Sequence, residues 1–341
     1  MAQVDHLLVS EFGSFLSKHG GRLRLSKGEE VLIEAPYRFL QSVLILNHGV
    51  GLSSDVIHLC GEAGIPIFIM DSHGLPLEML YSAGLVGMAI TRRHQYRAYE
   101  DERGVALVLA LAAAKIRNQT TTLKYLGKNR QEQVDLYRGL QAAIPELQSA
   151  HDKLLAFDEG APLDDLRPHI MAYEAQAALH YWAALRPLVP ASYGWERRET
   201  WGATDPINMC LNYTYAILYG RVQQALMLAG LDPFAGFLHV DRPGRLSLVY
   251  DLAEEFRADV VDRVIIGLAA RRFEVKRDAE GRLDGDTRKT LARHIIDHLD
   301  GGVRYEGQRR ALKHVIQSQA YKLAAFLRRE TPQYEAYSAT W

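Results

Sequence analysis

The apolar residues of this chain recur with two different periods. Over roughly the first 85 residues they come in short, strand-like runs. Arg22-Leu-Arg-Leu25 and Val31-Leu-Ile-Glu34 flank a turn at Lys27-Gly28-Glu29, which predicts a hairpin. Ser42-Val-Leu-Ile-Leu46 reads as a buried strand. Gly49-Val-Gly51-Leu-Ser53-Ser54 leads into a helix over 55–63, with Ser53 or Ser54 as its N-cap and Gly64 as its stop. Ile65-Pro-Ile-Phe-Ile69 returns as a strand, and Asp71-Ser-His-Gly74 makes a turn. From about residue 90 onward the period becomes 3.6. Helices are predicted over 92–118, 129–156, 165–186, 205–229, 248–271, 287–299 and 308–329. Pro187, Pro190, Gly230-Leu-Asp-Pro233 and Gly301-Gly302 break them, and the polar stretch 273–288 reads as a hairpin or loop. The expected architecture is α+β: a small N-terminal β-rich domain over 1–85, a linker at 86–91, a larger all-helical domain over 92–330 that carries the chemistry, and a C-terminal tail at 331–341.

Composition narrows the classes. With 341 residues, two domains and a large core are expected. Hydrophobic residues at 48% and charged residues at 24% are those of an ordinary globular chain. A net charge of -1 excludes a polycation, so any nucleic-acid surface is a local patch. One candidate is 288–329, where ten Lys/Arg stand against three acids; a solvated helix face is the plainer reading of the same run. Cys60 and Cys210 lie too far apart in sequence for a CxxC motif, and the N-terminus lacks a signal pattern; both suit a reducing cytoplasm. No uncharged apolar run reaches the ~18 residues of a membrane span.

The densest chemistry lies at Gly236-Phe-Leu-His239-Val-Asp-Arg242-Pro-Gly-Arg245, followed by Asp251-Leu-Ala-Glu254-Glu255-Phe-Arg257. Imidazole and carboxylates suit a divalent cation, and guanidiniums suit phosphate. The spacing of Asp251, Glu254 and Glu255 puts all three on one face near the start of a helix, where its dipole favours negative charge. Arg242 and Arg245, beside the Pro243-Gly244 turn, are candidate phosphate clamps. Gly49-Val-Gly51 with Asp71 imitates a dinucleotide fingerprint, but Ser54 stands at the third glycine position. His294 and His298 have the spacing of a zinc helix, with Asp297 where the glutamate belongs and no evident third ligand.

Several motifs in order carry a family resemblance: Asn47-His-Gly-Val-Gly-Leu-Ser53, Arg93-His-Gln-Tyr96, Lys115-Ile-Arg-Asn-Gln119, Tyr173-Glu174-Ala175 with Tyr181-Trp182, Asp205-Pro-Ile-Asn208, Gly230-Leu-Asp-Pro233, and the two segments around His239 and Glu254. Over nearly its whole length the chain resembles CRISPR-associated protein 1. The resemblance implies a metal-dependent DNA endonuclease and integrase that joins 3′-hydroxyl ends of spacer DNA to the CRISPR repeat. It implies Mg²⁺ or Mn²⁺ held by Glu174, His239 and Glu254, with Asp251 in support or as an alternative ligand. Glu254 stands where some relatives have aspartate. Tyr181, two turns from Glu174, is the aromatic expected to meet DNA, ahead of Tyr96, Trp182, Trp195 and Trp201. The implied partners are duplex DNA with 3′ overhangs, CRISPR repeat DNA, a second copy of the chain through the β-rich domain, and CRISPR-associated protein 2. Two other readings stay open: a scaffold that bridges DNA ends without catalysis, and a mobile-element integrase outside CRISPR.

Overall fold

A computed structural model describes residues 6–40, 42–70, 76–80, 88–157, 160–200 and 202–340. The chain forms two units, Met1–Gly87 and Met88–Trp341. In the first, β2 (Phe15–His19), β3 (Arg22–Lys27) and β4 (Glu30–Pro36) form an antiparallel meander, and β6 (Gly51–Leu52) joins β2 in parallel. The predicted hairpin is β3–β4, turned at Gly28, whose φ of 59° is one that glycine adopts at no steric cost. A second sheet has the order β1 (His6–Val9), β5 (Ser42–Ile45), β7 (Ile67–Met70), β8 (Pro76–Leu80). Helix α1 (Ser54–Glu62) is capped by Ser53, whose hydroxyl accepts from Val56 N. Leu7, Leu16, Leu23, Leu25, Val43, Val56 and Ile67 fill this unit's core. Gly51 pairs with β2, and a Cβ there or at Gly49 would strike the ring of Phe15 or Phe12. Both glycines thus serve packing, and among the described residues no doubly wound sheet surrounds them. The expected turn at 71–74 lies outside the described residues.

The second unit is helical: α2 (Met88–Ala98), α3 (Glu102–Gly127), α4 (Val134–Leu155), α5 (Leu163–Leu185), α6 (Pro206–Leu228), α7 (Ser247–Ala253), α8 (Arg263–Ala270), α9 (Gly285–Asp300) and α10 (Leu312–Leu327). The α+β class and its order along the chain are as expected, with local differences. Helix α2 begins at Met88, so 88–91 are helical and not linker, and 86–87 lie outside the described residues. The predicted helix 92–118 is two helices, because Asp101 caps a new one by accepting from Arg103 N at 3.1 Å. The predicted helix 248–271 is α7, a π-helical turn at Ala258–Asp262, and α8. Residues 308–311, expected to open a helix, form instead the strand β10 (Gln308–Ala311), paired in a hairpin with β9 (Gly302–Tyr305), so this unit is not wholly helical. The expected tail is packed in: Tyr334, Tyr337 and Ala339 are buried in the unit's core. Among the described residues no helix is long and apolar enough to cross a membrane.

Candidate metal centre

Three elements and one loop of the second unit supply the centre. Helix α3 carries Lys115 in an otherwise apolar stretch that ends at Ile116. Helix α5 carries Glu174. Helix α7 ends at Glu254, its C-cap, and carries Asp251 one turn earlier. The loop between α6 and α7 carries His239, and it can lie flat on α7 because residue 236 is glycine. A Cβ there would come within 2.5 Å of Ser247 Cβ.

Asp251 fixes this loop. Fully buried, its carboxylate accepts from Phe237 N at 2.6 Å, Leu238 N at 3.1 Å and His239 N at 2.9 Å. It also lies 2.7 Å from His239 Nδ1. That partner assigns the ring proton to Nδ1 and leaves Nε2 as the free electron pair, the usual state of a metal-binding histidine. The expected common face of Asp251, Glu254 and Glu255 does not form. The helix starts at Ser247, so these acids lie at its far end and take no benefit from the N-terminal dipole. Glu255 turns away to accept from Tyr337 N, Gln319 Nε2 and Tyr334 Oη, and burial pushes its carboxyl up to about 7.

Glu174 and Glu254 meet across Lys115. The ammonium is ion-paired with Glu174 Oε1 and lies 2.8 Å from Glu254 Oε2. Burial works to lower the Lys115 ammonium, but the two carboxylates outweigh it and keep the group charged. Glu254 is 1% exposed and Glu174 15%. Burial would raise the Glu254 carboxyl, yet Arg257 and Lys115 together hold it below the usual carboxylate range. Its two oxygens are held differently. Oε1 accepts from Arg257 Nη1 at 2.7 Å, with that guanidinium stacked on Tyr215. Oε2 has Lys115 in ion-pair contact but no donor aimed at it as a hydrogen bond.

In type, two carboxylates and a neutral imidazole suit Mg²⁺ or Mn²⁺, and a buried carboxylate oxygen short of a hydrogen bond is what a cation would satisfy. As the side chains stand, Lys115 takes that place, and among the described residues no three His, Cys, Asp or Glu converge on one point.

Other expected residues fall differently. Arg242 is exposed and Arg245 half-buried, its guanidinium over the Tyr250 ring. Tyr250 also meets the His239 ring edge-on, so it links histidine and arginine. Tyr181 is a correction: it is fully buried and its hydroxyl donates to Asp262 at 3.0 Å, so it cannot stack on a base. Trp195 is buried as well, and Trp201 lies outside the described residues. In the basic run, Lys313, Lys322, Arg328 and Arg329 are ion-paired to acids of the same chain, which removes much of the charge from a phosphate surface. His298 faces Asp259 and Arg263, not a zinc site.

The sequence model of the family described as CRISPR associated protein Cas1 matches residues 7–296. The chain belongs to the Cas1 family. A "CRISPR-associated endonuclease Cas1 1" of Archaeoglobus fulgidus is 35% identical over 98% of this chain and 99% of its own length. Among solved structures, a casposase bound to integration product has the same fold, with a TM-score of 0.77 at 22% identity, covering 98% of this chain and 95% of the other. A chain of a Cas6-RT-Cas1–Cas2 complex matches with a TM-score of 0.75 at 19% identity, over 100% of this chain and 37% of that one. Within this Cas1-family chain, sequence reasoning missed Lys115 and Tyr250. The signal for Lys115 was a lone cation within the apolar run 104–116 of α3, which must find a buried partner.

Proposed function

We propose that this chain is a metal-dependent DNA endonuclease and integrase of CRISPR adaptation, one that joins 3′-hydroxyl ends of spacer DNA to the repeat. The observation that carries the reading is the meeting of Glu174 and Glu254 from two helices beside a histidine that Asp251 holds in its metal-binding tautomer. Relatives named CRISPR-associated endonuclease, one of them 35% identical over 99% of its own length, support the nuclease part. Glu174, Glu254 and His239 Nε2 would hold Mg²⁺ or Mn²⁺, with Asp251 behind His239. When bound, the cation would neutralise charge on the phosphate under attack and activate the attacking oxygen. Arg257 keeps Glu254 charged and oriented. Arg242 and Arg245 clamp the flanking phosphates, the latter steadied by Tyr250. Because only the attacking oxygen differs between water and a 3′-hydroxyl, one site serves both cutting and joining.

The substrate is duplex DNA with 3′ overhangs, the target is CRISPR repeat DNA, and the partners are a second copy of the chain and CRISPR-associated protein 2. The second partner is supported by the matching fold of a chain in a Cas6-RT-Cas1–Cas2 complex.

Histidine-to-alanine at His239 should reduce Mn²⁺-dependent joining of an overhanging duplex to a leader–repeat plasmid by about 100-fold or more while the melting temperature changes little. Joining at the wild-type rate would sink the reading. A non-catalytic end-bridging scaffold is the second reading, favoured by the ammonium between the carboxylates. It predicts plasmid nicking that is the same with Mn²⁺ and with chelator.

A further inference from the structure

Lys115 is the least expected member of the centre. A buried ion pair adds little net stability, so stability alone is a weak account of a lysine placed between two carboxylates. The two cations on Glu254 are also unlike one another. Arg257 is planar, stacked on Tyr215, and makes a directed bond to Oε1. Lys115 ends a flexible four-carbon stem and meets Oε2 without a directed bond. The Arg257 guanidinium is fixed by a ring and a directed bond, whereas the Lys115 ammonium, on its flexible stem, also donates to Glu174 Oε1 and so joins the two carboxylates. One turn along α3, Asn118 donates to Glu255 O at 2.7 Å and Tyr337 O at 2.9 Å, and accepts from Ala339 N at 2.8 Å. That clamp fixes the backbone beside Glu254 against α3, so the distance Lys115 spans is set by the fold.

We propose that Lys115 is a positioning residue that stands in for the divalent cation: its ammonium holds Glu174 and Glu254 close together before the metal binds, and leaves their oxygens as the metal arrives. This rests on Glu174 and Glu254 being the ligands. Metal and ammonium then compete for the same two carboxylates. Removing the competitor tightens metal binding and leaves the metal-free protein with two facing carboxylates and no cation between them. A guanidinium in its place, able to bridge both carboxylates with directed bonds, does the reverse.

The test is Mn²⁺ binding by calorimetry, with melting curves, on the full chain carrying Lys115→Met or Lys115→Arg, beside wild type and His239→Ala. Lys115→Met should bind Mn²⁺ about tenfold more tightly and Lys115→Arg about tenfold more weakly than wild type, a factor equal to about 1.4 kcal/mol each way. Metal-free Lys115→Met should melt below wild type, with the gap closing at saturating Mn²⁺. Equal or weaker binding by Lys115→Met overturns the proposal. So does a shift of both variants in one direction, since a purely structural lysine would give that. If Lys115→Met does not fold without metal, unchanged affinity in Lys115→Arg overturns it alone. Wild type and His239→Ala binding Mn²⁺ alike, or not at all, would instead remove the metal centre itself, and the proposal with it.

Discussion

Asp251 does more for the centre than its place in an acidic run suggests. It takes three backbone N–H bonds and one imidazole bond while fully buried, so all its accepting capacity is used on one loop. An amide at this position keeps one accepting oxygen and turns its NH₂ toward groups that are themselves donors. Asp251→Asn should therefore cost about 1–3 kcal/mol of stability, since buried N–H groups lose their partner. It should also weaken Mn²⁺ binding by about 10–100-fold, because His239 loses the bond that sets its tautomer. Melting curves and calorimetry on the same sample check both, and unchanged metal affinity would mean that His239 is oriented by something else. At this scale residue type was the useful signal. The histidine and acids around 239–254 suggested metal chemistry by type alone, whereas the role of Tyr181 depends on which way its helix faces. Tyr181 shares a helix with Glu174, yet its hydroxyl meets Asp262 in the core while Glu174 reaches Lys115.

At the scale of elements, what could be read in the sequence follows from how local the determinants are. The β3–β4 hairpin, the Ser53 cap and the start of α6 at Asp205-Pro206 are fixed by neighbours within four residues, and each is where the pattern predicts it. The break within 248–271 is different: the apolar period runs on through the π-helical turn, so nothing local marks it. Residues 331–340 show no period at all, and what orders them is contact with distant acids, Tyr337 Oη donating to Asp259 at 2.8 Å and Tyr337 N to Glu255. The Lys115–Glu174 pair likewise joins residues 59 apart. The turn that the sequence hid is also where a pH effect belongs. Burial would raise the Asp259 carboxyl, but bonds and charge from His298, Arg263 and Tyr337 prevail and hold it below its ordinary value. A carboxyl lowered on folding contributes stability above its unfolded pKa, and that contribution fades as pH falls through the folded value. Asp259→Asn should thus cost about 3 kcal/mol near neutrality, where it leaves the half-buried Arg263 guanidinium without its carboxylate. The penalty should shrink as the medium is taken down through and below the carboxylate range. Denaturant midpoints for both proteins at a series of pH values give the difference directly, and a penalty that does not vary with pH would mean Asp259 is neutral in the folded chain.

For the whole molecule, the two units have separate apolar cores and different problems left to solve. The second unit buries charged groups in networks around the candidate metal centre. The first leaves large apolar side chains outside its core: Phe12, Phe15, Val31, Ile33, Phe39 and Ile57 are exposed. Val31 and Ile33 lie on β4, an edge of its sheet among the described residues. Edge strands that face water are commonly guarded by lysine or an internal proline, and β4 has neither; its proline is the last residue, and Glu34 is tied to Arg24 at 2.5 Å. An unguarded apolar edge is what a second copy of the chain would cover, in line with the homodimer proposed above. Replacing Val31 and Ile33 together by lysine should leave the melting temperature close to wild type, because neither side chain is part of the core, while light scattering at micromolar concentration shows the mass falling from two chains to one. Charged edges repel when brought together, so the loss of association should be relieved in part by salt. A particle that keeps the dimeric mass with both lysines in place would exclude β4 as the contact and leave the exposed phenylalanines as the surface to alter next. A particle that is monomeric before any substitution would remove the second copy of the chain from the proposed assembly.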